Sequence, residues 1–70
     1  MGYIFWKRIT GYAKAARFAD TLRRLGVPVL ARTVAPHKLA SGRWTTHHYF
    51  RFDSAYEADV DFAAALAKGA

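Results

Sequence analysis

The chain has no cysteine, only two prolines, one methionine and five acidic residues among 70 positions, and each shortage excludes something. Without cysteine there is neither a disulfide framework nor a thiolate metal centre, so nothing ties the chain to an oxidising compartment and a cytoplasmic location is expected. The longest run of large apolar residues is Tyr3 to Trp6, far below the roughly 18 residues that a membrane-spanning helix needs, and no apolar segment near the start has signal-peptide length. A soluble protein without membrane contact is the expectation. Catalytic signatures are missing as well: there is no phosphate-binding glycine loop, no HExxH, no GxSxG and no cysteine nucleophile. A non-enzymatic protein is expected, with no metal or organic cofactor implied.

What acid there is lies at one end. Residues 1–52 carry ten Lys and Arg against the single acid Asp20, whereas residues 53–70 carry four acids against Lys68, giving a net charge of +6. Such a balance favours negatively charged partners, nucleic acid or the acidic surface of a nucleoprotein complex. A hydrophobic content of 53% with 16% aromatics is too high for a disordered tail, because such a chain buries enough surface to offset its ordering entropy. Seventy residues make one small domain, near the lower limit for a self-sufficient core, which keeps oligomerisation in view.

Tyr3 to Ile9 is dense in aromatic and β-branched residues between Gly2 and Thr10-Gly11, and reads as a strand. From Tyr12 to Leu25 the period becomes helical, with Ala15, Phe18, Ala19, Leu22 and Leu25 on one arc and Lys14, Arg17, Thr21 and Arg24 opposite. Gly26 followed by Val27 and Pro28 ends that helix. Val27 to Ala35 is expected as a second strand, and Ala35 to Gly42 as a long hairpin loop. Trp44 to Phe52 alternates cleanly, placing Trp44, Thr46, His48, Phe50 and Phe52 on one face, the core side, and Thr45, His47, Tyr49 and Arg51 on the other. Ser54-Ala55-Tyr56-Glu57 reads as a capping box opening a helix that runs to about Lys68. Phe62 and Leu66 are expected in its core face, with Tyr56, Val60, Ala63 and Ala67 as a smaller apolar stripe turned away from the core. Asp59 between them calls for a partner, Arg23 or Arg17, or an exit to water. Asp53, Glu57, Asp59 and Asp61 crowd the positive end of the helix dipole.

The order βαββα gives an α+β fold, a three-stranded mixed sheet with two helices packed on one face. If the third strand inserts between the first two, Tyr3 to Ile9 lies on an apolar edge that invites a homodimer. The sheet face away from the helices then shows His47, Tyr49 and Arg51, joined by either Trp6 with Arg8 or Phe5 with Lys7. Aromatics interleaved with cations on an open sheet suit single-stranded nucleic acid, where bases stack on rings and phosphates meet Arg or Lys. The residues expected to bind are Trp6, Arg8, Arg32, Arg43, His47, Tyr49 and Arg51. His47 and His48, adjacent on a strand, point to opposite faces and cannot close on one ion. His47, with His37 brought in by the loop, is the one candidate general base for RNA cleavage.

The stretch Trp44-Thr45-Thr46-His47-His48-Tyr49-Phe50-Arg51-Phe52-Asp53-Ser54, followed by Phe62 and Leu66, resembles the closing strand and helix of small ferredoxin-like α+β domains. In size, single-domain simplicity and lack of catalytic groups the whole chain also looks like the small inhibitors encoded by phages and other mobile elements, anti-CRISPR proteins among them. That resemblance implies an inhibitor that occupies a site on a nucleic-acid-handling complex, although many such proteins are acidic and this chain has the opposite sign.

Overall fold

The computed structural model describes residues 2–69, in the order β1 (Ile4–Thr10), α1 (Tyr12–Leu25), β2 (Ala31–Lys38), β3 (Trp44–Asp53), a single 3-10 turn (Ser54–Tyr56) and α2 (Glu57–Gly69). The strand order is β1-β3-β2, so the third strand inserts between the first two and β1 is an edge. Both ladders are antiparallel. The first two strands run in the same direction but are not neighbours, and the sheet therefore contains no parallel ladder. The two helices pack on one face, and the fold is the α+β, βαββα layout expected from the sequence.

One residue, Gly11, links β1 to α1, and its N–H donates to the Thr46 carbonyl at 2.8 Å. At the far end of α1, Gly26 adopts φ +73°; its N–H reaches the Arg23 carbonyl and the Val27 N–H reaches that of Leu22. This is a Schellman ending, which requires the left-handed conformation that glycine takes without a Cβ penalty. It draws Val27 into the core and out of the sheet. Hence β2 begins at Ala31 rather than Val27.

The hairpin is also tighter than expected. Strand β2 continues through Pro36 to Lys38, and Leu39–Arg43 closes the turn: Leu39 N–H donates to Arg43, Gly42 N–H donates to Leu39, and Gly42 sits at φ +88°. That is a type I turn with a left-handed glycine, a common three-residue hairpin. The Leu39–Arg43 bond sets the ladder phase: odd-numbered β2 residues bond to β3 and even-numbered ones face the free edge. Pro36, even-numbered, therefore costs the ladder no hydrogen bond.

The core consists of eleven buried apolar residues: Ile9, Ala15, Phe18, Leu22, Val27, Phe50, Phe52, Val60, Ala63, Ala64 and Ala67. Phe18 of α1 stands edge-on to Phe50 at 4.9 Å and to Phe52 at 6.1 Å between ring centroids, the geometry that the aromatic quadrupole favours. The face of α2 differs from expectation. Its small residues Val60, Ala63, Ala64 and Ala67 are buried, whereas Phe62 is 55% and Leu66 49% exposed. Small side chains let α2 lie close against α1, and the bulky pair would hold the helices apart. Leu25, on the apolar arc of α1, and Trp44, left open by the sequence although its alternation with Phe50 and Phe52 favours the core, are 42% and 67% exposed. Trp44 is on the helix side as its alternation requires, but it pairs with Lys38 at the sheet end, among Tyr12, Pro36, Thr45 and Thr46, where no helix covers it.

The capping box does not form. Asp53 accepts the Ala55 N–H at 2.9 Å and Ser54 Oγ accepts the Tyr3 N–H at 2.9 Å. The Glu57 carboxylate accepts the Tyr3 hydroxyl, and Asp61 meets Lys7 at 3.4 Å. The acidic block thus clasps β1 to α2 as well as starting a helix. Asp59 is exposed and has no ion pair among the described residues; Arg17 donates instead to the Ala67 carbonyl at 3.3 Å, and Asp20 takes Arg23 and Arg24.

Phe18→Ala is expected to cost about 3–5 kcal/mol, comparable with the whole stability of a domain this small at about 0.05–0.15 kcal/mol per residue. Urea unfolding followed by circular dichroism should show a largely unfolded variant; an unchanged midpoint would remove Phe18 from the centre of the core.

Candidate nucleic-acid interface

The register of the two ladders decides which residues share the open face. Trp6 pairs with Arg51, Arg8 with Tyr49 and Thr10 with His47, so β1 contributes Trp6 and Arg8 rather than Phe5 and Lys7. On the other side Ala31 pairs with Arg51, Thr33 with Tyr49, Ala35 with His47 and His37 with Thr45. Long cationic and aromatic side chains therefore stand on β1 and β3, and mostly short ones on β2. The Arg51 guanidinium lies over the Trp6 indole at 5.7 Å, a cation–π contact that holds both groups upright. Beside them Trp6, Thr33 and Tyr49 line a shallow cleft of about 360 Å³.

At the other end of the face the rings of His37 and His47 meet in a tilted arrangement, with centroids 4.2 Å apart and planes inclined by 32°. His47 Nδ1 is 2.9 Å from Thr10 Oγ1, and Tyr49 stands edge-on at 6.2 Å. His37 belongs to β2 and not to a loop, which is why the pair is held in place. Burial first, then His37 and Arg8, push the His47 pKa below its ordinary value. Rings in contact leave no space for a phosphate between them, so the two imidazoles do not straddle a scissile bond as acid and base would.

Of the seven residues expected to bind, Trp6, Arg8, His47, Tyr49 and Arg51 come together on this face. Arg43 lies at the hairpin, one pair beyond Thr45 on the same alternation. Arg32 does not belong. It pairs with Phe50 on the helix side, its guanidinium 4.7 Å from the centre of that ring. The register of β2 against β3 was the missing information, since it fixes the face of every residue in the strand. Arg32 instead lines a groove of about 400 Å³ with Ala19, Leu22, Arg23, Val27, Val29 and Phe50.

His48 behaves as its alternation requires. It is fully buried, its Nε2 is 2.7 Å from Thr46 Oγ1, and the Tyr12 ring is edge-on at 4.9 Å. Its pKa is lowered by burial and then by Arg32. Among the described residues no group of three or more His, Cys, Asp or Glu is placed to hold a metal ion, and no helix is long and apolar enough to cross a membrane. No protein-family model, curated protein or solved structure matches the chain, so the site is interpreted from its geometry.

The depressed His48 pKa links folding to pH. Below about pH 6.5 the unfolded imidazole takes up a proton that the native one refuses, so stability falls as pH drops through this range toward the lower native pKa. The urea midpoint should decline between about pH 7.5 and 5.5, and His48→Leu should remove most of that slope, with His47 retaining a smaller share. A pH-independent wild-type midpoint would show that His48 protonates without cost.

Proposed function

We propose that the protein is a non-enzymatic binding module that engages nucleic acid, or the acidic surface of a nucleoprotein complex, through the open face of its sheet. The observation that supports this most directly is the pairing of exposed Trp6 and half-exposed Tyr49 with Arg8 and Arg51. The one strand carboxylate on that side, Asp53, is turned to the Ala55 N–H. Base–aromatic stacking contributes about 1–3 kcal/mol per base, and phosphate contacts to Arg8, Arg51 and Arg43 add a salt-dependent part. Binding of labelled single-stranded DNA and RNA across a salt series tests it. Arg51→Glu should weaken binding at least tenfold and lower the salt slope by about one to two, whereas Phe62→Asp should leave both unchanged.

A second reading follows from the outward turn of Phe62 and Leu66. In it the protein is a mobile-element inhibitor of the anti-CRISPR kind, blocking a host nucleic-acid-handling complex by protein–protein contact. Retained oligonucleotide binding in Phe62→Asp, lost in Arg51→Glu, favours the sheet face; salt-insensitive capture of a protein, lost in Phe62→Asp, favours the helix.

The homodimer belongs to the same proposal. In the β1–β3 ladder Tyr3 and Gly11 bond to β3, so the odd-numbered residues face β3. Ile4, Trp6, Arg8 and Thr10 turn their N–H and C=O groups outward. No proline or bulge blunts this edge. Antiparallel pairing with a second β1 would join two open faces into one six-stranded surface. Ile4→Pro removes an outward N–H and leaves the β3 ladder intact, so it should shift a sedimenting dimer to monomer. A wild-type protein that is monomeric at all accessible concentrations overturns the dimer.

A further inference from the structure

We propose that His37 and His47, with Thr10 and Arg8, form a proton-linked anion site that takes one phosphate group, and that occupation of this site tightens as the pH falls. It rests on the sheet-face reading only for the source of that phosphate, a nucleic-acid backbone as against a free phosphate compound.

The two imidazoles come from neighbouring strands and meet at 4.2 Å. Every group that faces them is neutral or cationic. From β1 come Arg8 and Thr10, from β2 His37 itself, from β3 Tyr49 and, farther along, Arg51, and from the hairpin Arg43. The helices pack on the opposite side with the carboxylates of Asp20, Glu57, Asp59 and Asp61, and Asp53, the one acid on this side, lies at the far end of β3 opposite Ile4 and is turned to the Ala55 N–H. No carboxylate among the described residues stands beside this pair to stabilise an imidazolium. Nothing within the protein rewards a proton on His47, and His37 and Arg8 oppose one.

An anion from outside reverses that balance. Once protonated, an imidazole donates from both nitrogens. Nδ1–H can then serve Thr10 Oγ1, which lies at 2.9 Å, leaving Nε2–H for a ligand. A phosphate at the exposed edges of the two rings, within reach of the Arg8 side chain, supplies the negative charge that the face lacks, through charge-assisted hydrogen bonds. Because the rings touch, the phosphate rests across them and not between them, which makes this a binding site and not a cleavage site. Linkage fixes the direction: an imidazole that is neutral in the empty site and protonated in the occupied one takes up a proton on binding. Its affinity therefore rises as pH falls, by at most about tenfold per pH unit for each proton.

The experiment follows the His47 imidazole by NMR through a pH titration of the intact protein, alone, with pyrophosphate, and with a single-stranded oligonucleotide. Pyrophosphate is expected to raise the His47 pKa by about half a unit or more. His37→Asn, at an exposed position, and Arg8→Gln should each remove most of that rise while circular dichroism confirms the fold. If pyrophosphate raises the pKa and the oligonucleotide binds nowhere in the range, the anion site stands and the nucleic-acid reading falls. If the oligonucleotide binds with pH-independent affinity and neither ligand moves the His47 titration, the sheet-face reading stands and the proton-linked site is overturned. A rise that persists unchanged in both variants also overturns it, because the phosphate would then be held elsewhere.

Discussion

The structure hangs on the edge-on packing of Phe18 against Phe50 and Phe52. In a domain this small one aromatic wedge fills most of the space between helix and sheet, and the rest of the architecture adjusts to it. Helix α2 can reach the same core only by presenting Val60, Ala63, Ala64 and Ala67, whose short side chains fit beside a layer already occupied by rings. The helices then lie over β1 and β3, with no helix over β2, where the Arg32 guanidinium takes the place of a core residue over Phe50. A basic side chain with an apolar stem is well suited to that boundary, because it covers the ring and keeps its charge in water.

The uneven charge along the chain becomes an uneven charge in space. Glu57 binds the Tyr3 hydroxyl and Asp61 meets Lys7, both on the helix side of β1, while Asp20 serves Arg23 and Arg24 on α1. These contacts are exposed and individually weak. Their collective effect is positional: Asp20, Glu57 and Asp61 are occupied on the helix layer and Asp53 is turned to the Ala55 N–H, so the cations of the opposite face have no ion pair among the described residues. Hydrogen bonding to Glu57, the foremost cause, raises the Tyr3 pKa, and the tyrosine stays a donor that ties the start of β1 to α2.

Legibility followed the strength of the periodic signal. Strand β3 alternates over its whole length, so its two faces, the opposite orientations of His47 and His48, and the central residues of the open face were all readable from the chain. Strand β1 is apolar on both sides, and only its pairing with β3 selects Trp6 and Arg8. For β2 the difficulty was phase, since buried Val27 belongs to the helix ending and gives no guide to the strand's faces, which are set by its register against β3. Helix α2 is apolar nearly all round, and there hydrophobicity points to Phe62 and Leu66 whereas available volume selects alanine. Trp44 shows the remaining gap: alternation gives a direction, but cover comes from tertiary packing that one strand does not encode.

A core of eleven apolar residues on one side of a three-stranded sheet leaves the other side without a second layer. Such a face is either an ordinary amphipathic surface or a platform, and its side chains distinguish the two. An ordinary solvated face would be expected to carry mixed charges and short polar groups. Here Trp6 keeps half its surface in water with the Arg51 guanidinium over its ring. Short residues on β2 leave the cleft beside it open, and the two histidines stand farther along the same face with the proton affinity of His47 held low. Aromatic surface, cations and a titratable pair thus converge on one unburied plane, an arrangement that the helix layer, with its acids beside its cations, does not repeat.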